Sequence, residues 1–215
     1  MSELLPDVTE HYFTGEPARD DERRRLTVRL AGREVEVEVA SGVFSPGRLD
    51  PGTGVLLNET PTPPASGDLL DLGCGWGPIT LSLALAAPDA TVWAVDISRR
   101  ALDLTLRNAQ RLGLANVRTC LPDEVPTETR FAAIWSNPPI RVGKEMLHAM
   151  LGEWLPRLTP TSIEPVETSD GSGAWLVVHK NLGADSLARW IEADLNLTTR
   201  RATTSKGYRI LHVSR

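Results

Sequence analysis

Three groups of residues in this chain have types and spacings suited to chemistry as well as to packing. The first is Asp71-Leu72-Gly73-Cys74-Gly75-Trp76-Gly77. Its glycines remove side chains so that a ligand can lie against the backbone. Pro78 suits the first turn of a following helix, where its missing N–H costs nothing. The second is Asp96, 23 positions after Gly73, where a carboxylate can accept hydrogen bonds from both hydroxyls of a ribose. The third is Ser136-Asn137-Pro138-Pro139-Ile140. Two consecutive prolines fix the backbone and are expected to free the preceding carbonyls from helix or sheet pairing. The Asn137 side chain and the Pro138 carbonyl can then orient one planar amino group, which makes Asn137 and Pro138 the candidate catalytic residues.

A nucleoside-binding loop of this kind serves dehydrogenases as well as other enzymes. A strict G-x-G-x-x-G needs glycine at position 78, and this chain has Pro78, so the phosphate-accommodating turn is altered. Asp71 would repel a pyrophosphate but pair with a cationic amino-acid group. S-adenosylmethionine meets both conditions, and its methyl group needs only an amino lone pair aimed in line at the sulfonium, so positioning supplies much of the catalysis. The competing readings are a tight turn without ligand for the glycine loop and a rigid loop after a strand for Asn-Pro-Pro. Ile97, next to Asp96, belongs to the same candidate cofactor-binding group. Asp123 is placed to meet the adenine amino group, with Cys120 and Leu121 as walls; a solvent-exposed aspartate, or Glu124 in its place, remains open.

Elements that alternate strand and helix must carry these residues. Asp68 to Leu72 reads as a buried strand, Ile79 to Ala87 as a helix and Thr91 to Asp96 as a strand. A helix over Arg99 to Leu112 follows, with Ser98 as its N-cap and Gly113 ending it. Val117 to Cys120, Phe131 to Trp135 and Ala174 to Lys180 read as strands, and Lys144 to Leu158 and Ser186 to Leu195 as helices. The tail Arg201 to Arg215 suggests two strands turning at Lys206-Gly207, necessarily antiparallel. The expected fold is therefore α/β, a doubly wound, mostly parallel sheet ending in an antiparallel hairpin. Before it, Arg25 to Val39 reads as a β-hairpin turning at Ala31-Gly32. That register sets Val28 opposite Val35 and Leu26 opposite Val37, with Arg29 opposite Glu34 and Arg25 opposite Glu38. The arginines then have carboxylate partners; a substrate-facing role is the alternative. Residues 41 to 67, rich in Gly, Pro, Ser and Thr, read as connecting structure with one helical turn at Thr53 to Leu57. Thr159 to Gly173 reads as a polar surface loop.

Length and composition narrow the field further. With 215 residues, 41% hydrophobic and 24% charged, one domain over residues 1–215 is expected: a hairpin and lead-in segment over 1–60 and a cofactor-binding core over 61–215. No apolar run approaches the roughly 20 residues of a membrane span, and the first residues lack a secretory pattern, so a cytoplasmic location is expected. Two cysteines and four scattered histidines give no disulfide framework and no metal site. The net charge of −5 argues against a surface that binds nucleic acid everywhere, though not against a local basic patch. Oligomeric state is not legible.

The chain resembles the class I S-adenosylmethionine-dependent methyltransferases, and among them the small-domain guanine-N2 methyltransferases of small-subunit ribosomal RNA. The likeness runs through Gly42-Val43-Phe44-Ser45, Arg48-Leu49-Asp50-Pro51-Gly52-Thr53, the glycine loop, Asp96, Arg107-Asn108-Ala109, the Asn-Pro-Pro loop, His179-Lys180-Asn181 and Gly207-Tyr208-Arg209. It implies that Phe44, Asp50 and Thr53 close over the cofactor, that Asp71, Gly73 and Gly75 hold its methionine part and Asp96 its ribose, and that Asn137 and Pro138 grip the target amino group. The family's loop usually continues with an aromatic residue that stacks on a flipped base; here Ile140 stands there, so apolar contact replaces stacking or stacking comes from elsewhere. Pro139, Ile140, Arg141 and Lys144 form the expected substrate-binding group, with Arg141 and Lys144 meeting a phosphate. Lys180, Lys206 and Arg209 are further candidates for a confined basic patch.

The expected function is methyl transfer from S-adenosylmethionine to an exocyclic amino group of a base in RNA, guanine N2 of ribosomal RNA first. The alternatives are methylation of a protein glutamine amide or a small-molecule amine, a non-catalytic RNA-binding module with the same fold, and a nicotinamide dehydrogenase.

Overall fold

A computed structural model describes residues 15–160 and 171–215. The apolar stretches of the central chain pair into a seven-stranded sheet. Its strands are β3 (Ser66–Leu72), β4 (Asp89–Val95), β5 (Val117–Cys120), β6 (Ala133–Ser136), β7 (Gly173–His179), β8 (Thr198–Ser205) and β9 (Tyr208–Ser214). They lie in the order β5-β4-β3-β6-β7-β9-β8. The first five are parallel to their neighbours, and β9 runs antiparallel between β7 and β8. The expected fold is therefore observed, with the last two strands turning at Lys206-Gly207.

Because side chains alternate across a strand, β3 feeds two cores. Leu70 and Leu72 pack with Trp93, Val95, Ile134 and Leu176 on one face. Leu69 packs with Val92, Ala133, Trp135 and Trp175 on the other. The first face is covered by α4 (Lys144–Trp154) and α5 (Ala184–Leu195), the second by α1 (Pro51–Glu59) and α2 (Pro78–Ala86). From β3 the chain winds outward through β4 and β5, then returns to place β6 on the other side of β3. This reversal opens a crevice at the carboxyl ends of β3 and β6, where open α/β sheets bind ligands.

The amino-terminal hairpin, β1 (Arg23–Leu30) and β2 (Arg33–Ala40), has the expected register, Val28 against Val35 and Arg25 against Glu38. Its apolar face shares a core with Trp76, Leu81 and Leu104, so it is clamped to α2 and to α3 (Arg99–Arg111). The ion pairs differ from the expected ones. Arg25 meets Glu36 at 3.2 Å and Arg23 meets Glu38 at 3.1 Å. Both are diagonal, as the right-handed twist of a two-stranded ribbon brings offset side chains together.

Three boundaries correct the sequence reading. A full helix, α1, stands where one turn was expected. Asp50 caps it by accepting from the Thr53 N–H at 2.9 Å, Pro51 opens it, and Val55 and Leu56 are buried against the sheet. Tertiary burial thus overrides the poor helix propensity of its glycines. The helix begun at Lys144 ends at Trp154 and tightens into a 3-10 turn over Leu155–Arg157, where Pro156 cannot supply an N–H. Phe131 stands outside β6 and instead bridges Leu158. Residues 161–170 of the expected polar loop lie outside the described residues. No described helix is long and apolar enough to cross a membrane.

Candidate active site

The glycine loop begins where β3 ends. Gly73 and Cys74 donate their N–H groups to the Val95 carbonyl at 2.8 and 3.2 Å, which ties the loop to the end of β4. Gly73 and Gly75 have φ of 83° and 59°, the left-handed region that glycine enters freely. A Cβ added at either would point into open space, with no heavy atom within 4 Å. The two glycines therefore expose bare backbone to a depression that a ligand can fill.

Two carboxylates flank this loop, and both titrate high. Asp96 follows β4; its Oδ2 accepts from the Gly75 N–H at 3.0 Å and its Oδ1 from the Ser98 N–H at 2.9 Å. Burial raises its pKa, and the Ser98 and Gly75 bonds oppose the rise. Asp71 is fully buried. Its Oδ2 accepts from the Thr80 N–H at 2.8 Å and hydroxyl at 2.6 Å, while its Oδ1 has no hydrogen-bond partner. Burial pushes its pKa up to about 7; the Thr80 bonds lower it and Asp96 raises it. Burial, with Asp96 and Asp71 nearby, also holds the Cys74 thiol well above its usual range, so this sulfur is packing and not a nucleophile. Two buried carboxylates, one carrying an orphaned oxygen, beside open glycines have the chemistry that a cationic nucleoside would need. The residues present fit S-adenosylmethionine.

Asn137 lies across the depression from this loop, held by groups that sequence spacing does not connect. Its Nδ2 donates to Asp50 Oδ2 at 2.8 Å and to Thr53 Oγ1 at 3.0 Å. The Ser136 hydroxyl, fully buried, donates to the Leu72 carbonyl at 2.7 Å and fastens the end of β6 to the end of β3. The Pro138 carbonyl lies beyond the end of β6 and takes no part in the sheet ladder, as the paired prolines suggested. It accepts from the Ile140 N–H at 2.8 Å, with Pro139 at φ −75° and ψ 73°. This is an inverse γ-turn, and it leaves one carbonyl lone pair open. Pro138 is buried and Pro139 exposed.

Phe44, Ser45, Asp50, Thr53, Gly73, Cys74, Gly75, Trp76, Pro78, Ile79 and Asn137 line one depression. Most of the expected cofactor group and Asn137 therefore converge. Phe44 is 57% exposed at its rim. Asp71 lies beneath the loop rather than on the lining. Ile97 is 48% exposed, and Asp123 sits exposed on a 3-10 turn whose first N–H, that of Leu121, is accepted by Glu124 at 2.8 Å. Ile140 is partly buried against the core containing Leu147 and Leu151, which commits part of its surface to the fold. Lys144 and Lys180 are exposed, Arg209 is paired with Asp185, and the side chain of Arg141 lies outside the described residues. Sequence reasoning missed Thr80, whose only signal is its place in the first turn after the glycine loop. It also missed the bonds that Asn108 makes to the loop.

The chain matches the family model of the methyltransferase small domain over residues 34–212. It is 34% identical over 188 residues to the Bacillus subtilis protein YbxB, whose function is unassigned, covering 86% of this chain and 89% of that one. It is 35% identical over 128 residues to the ribosomal RNA small subunit methyltransferase C of Stutzerimonas stutzeri, covering 59% of this chain and 38% of that enzyme. Its fold is similar to that of a T. thermophilus 16S rRNA guanine-N2 methyltransferase solved with AdoMet and guanosine. The TM-score is 0.72 at 22% identity, over 93% of this chain and 52% of that one. The chain thus spans about half or less of these two ribosomal RNA enzymes. It belongs to the methyltransferase small-domain family and is an S-adenosylmethionine-dependent methyltransferase.

Proposed function

We propose that the chain methylates an exocyclic amino nitrogen of a base in RNA, guanine N2 of ribosomal RNA being the first candidate. The observation that carries this reading is the direction of Asn137. Both N–H groups of its amide are engaged by Asp50 and Thr53, so Asn137 offers incoming groups only the acceptor oxygen Oδ1. The Pro138 carbonyl offers a second acceptor. A pair of acceptors selects a ligand that donates two hydrogens from one atom, which an exocyclic amino group does. The similarity to two ribosomal RNA methyltransferases supports RNA as the carrier of that group.

S-adenosylmethionine supplies an electrophilic methyl group. The Asp96 carboxylate is suited to the ribose hydroxyls, Gly73 and Gly75 to backbone contact, and the buried carboxylate of Asp71 to the charge of the ammonium end. Phe44 at the rim and Thr53 in α1 close the depression on the opposite side. With its two hydrogens held by Asn137 Oδ1 and the Pro138 carbonyl, the amino nitrogen keeps its lone pair aimed into the depression. With S-adenosylmethionine held in the depression, its methyl group would pass from sulfur to this nitrogen, and an N–H proton would leave to water. No strong base is required, because a sulfonium would release a neutral thioether and alignment supplies the rate. Pro139 and Ile140 border the incoming base, and Arg141 and Lys144 lie next in the chain, where a phosphate would pass.

The test is transfer of a labelled methyl group from S-adenosylmethionine into deproteinised ribosomal RNA, assembled ribosomal subunits, total protein and small-molecule fractions. The labelled RNA is then digested to nucleosides. Label in N2-methylguanosine supports the full reading, and another N-methylated nucleoside supports RNA while moving the base. Label confined to protein or small molecules overturns it in favour of a glutamine amide or a free amine.

A further inference from the structure

We propose that Asp50 is a positioning residue for Asn137: it fixes the amide so that the oxygen, and not the NH2 group, faces the substrate. The inference rests on the reading of Asn137 as the group that grips the target amine. Asp50 Oδ2 accepts two hydrogen bonds, from the Thr53 N–H at 2.9 Å and from Asn137 Nδ2 at 2.8 Å. A carboxylate has no hydrogen to give, so only the NH2 end of Asn137 can occupy this contact. Turning the amide over would set its oxygen against Asp50 Oδ2, acceptor against acceptor. Thr53 Oγ1 takes the second N–H at 3.0 Å, so both donors are held from one helix end.

This arrangement gives Asp50, which lines the depression beside Phe44 and Thr53, a task on the substrate side in addition to the one that family resemblance implies. One residue performs two tasks with one oxygen: it caps α1 and aims Asn137 across 87 positions of sequence. A hydrogen bond from an amide N–H to a carboxylate also polarises the amide, which strengthens Oδ1 as an acceptor. The carboxylate is braced in turn. A Cβ at Gly52 would come within 3.0 Å of Asp50 Oδ2 and 2.8 Å of Tyr208 Cε1. Only a glycine lets the Tyr208 ring and the carboxylate pack this closely.

Two substitutions separate the tasks. Asp50→Ser keeps a side chain that caps a helix but is too short to reach Asn137. Asp50→Asn keeps a carbonyl oxygen that can accept both bonds. In the intact protein, Asp50→Ser is expected to lower kcat for methyl transfer to RNA by about tenfold to a hundredfold, with the Kd for S-adenosylmethionine changed less than about twofold, and Asp50→Asn to regain most of the loss. A weakened Kd with kcat preserved would confine Asp50 to the cofactor side. Equal losses in the two variants would also overturn the proposal.

A second measurement needs no substrate. The side-chain NH2 of Asn137, identified by its disappearance in Asn137→Ala, is expected to exchange slowly with solvent in the native protein and in Asp50→Asn, and quickly in Asp50→Ser. Fast exchange in the native protein, or unchanged protection in Asp50→Ser, refutes the clamp. Absence of methyl transfer to RNA by the native protein would defeat the functional reading alone and leave this measurement to decide the clamp.

Discussion

The side-chain amide of Asn108 donates to the Trp76 carbonyl at 2.9 Å, joining the last turn of α3 to the glycine loop. The same side chain donates to the Glu38 carbonyl at 2.9 Å and accepts from the Glu38 N–H at 2.6 Å. A fully buried amide therefore holds an edge strand, a helix and the glycine loop in one register. Asn108→Ala strands three backbone groups at once. The expected cost is about 2–4 kcal/mol in urea unfolding, since each orphaned buried group costs about 1–3 kcal/mol and partial hydration recovers some of it. Titration calorimetry should also show weaker S-adenosylmethionine binding at a temperature where the variant is folded. Native affinity in a destabilised variant would show that the loop holds its shape without this tether.

Asp96→Ala removes the acceptor proposed for the ribose, and it frees the Gly75 and Ser98 N–H groups that the carboxylate now engages. Calorimetry is expected to show S-adenosylmethionine affinity falling by about tenfold to a hundredfold, the value of one or two hydrogen bonds to a charged group. Asp123→Ala, made on an exposed turn, is expected to cost less. The opposite ranking would move the nucleoside end of the site toward β5.

Asp71 makes unfolding depend on pH in an unusual direction for a carboxylate. Its folded pKa of about 7 lies above the ordinary value of 3.8 because burial disfavours the charge. Between these values the folded state binds more protons than the unfolded one, so this group lowers stability as pH rises, and above about 7 its penalty is constant. Asp96 is raised as well and adds in the same sense. Asp71→Asn cannot ionise. Relative to the native protein, its unfolding free energy without ligand should therefore improve steadily from pH 5 to about pH 7 and level off by pH 8. Parallel stability curves in urea over that range would sink the assignment.

Much of this molecule is legible in sequence where one local pattern determines one local outcome. Ser98 caps α3 by accepting from the Ala101 N–H at 3.3 Å, and the Val28–Val35 register follows from a two-residue turn between alternating strands. The glycine loop and Asp96 are legible because the strands that carry them end side by side. What was not legible depends on contacts between distant segments. The helix at Pro51–Glu59 exists because Val55 and Leu56 find a sheet to cover, although its glycines argue locally for a turn. Asp71 gives no sign in sequence that Thr80 will take one of its oxygens and leave the other bare. The partnership of Asp50 with Asn137 is likewise set by the packing of α1 against the crevice, and spacing along the chain does not encode it.

Gly52 offers a test of that packing that removes none of the bonding groups. Its φ lies outside the left-handed region, so alanine meets no backbone strain, and within a helix alanine is favoured over glycine by about 1 kcal/mol. The added Cβ, however, would meet Tyr208 Cε1 at 2.8 Å and Asp50 Oδ2 at 3.0 Å. The carboxylate must then give by a few tenths of an ångström as well as the ring. Gly52→Ala is therefore expected to leave the thermal midpoint within a few degrees of native, because the gain in helix propensity offsets the crowding, while lowering kcat for methyl transfer several-fold. A variant with native kcat would mean that Asn137 keeps its aim when Asp50 is displaced by a few tenths of an ångström. The amide would then be held chiefly by Thr53 Oγ1, and Thr53→Val, which removes that acceptor at nearly constant shape, should carry the larger loss.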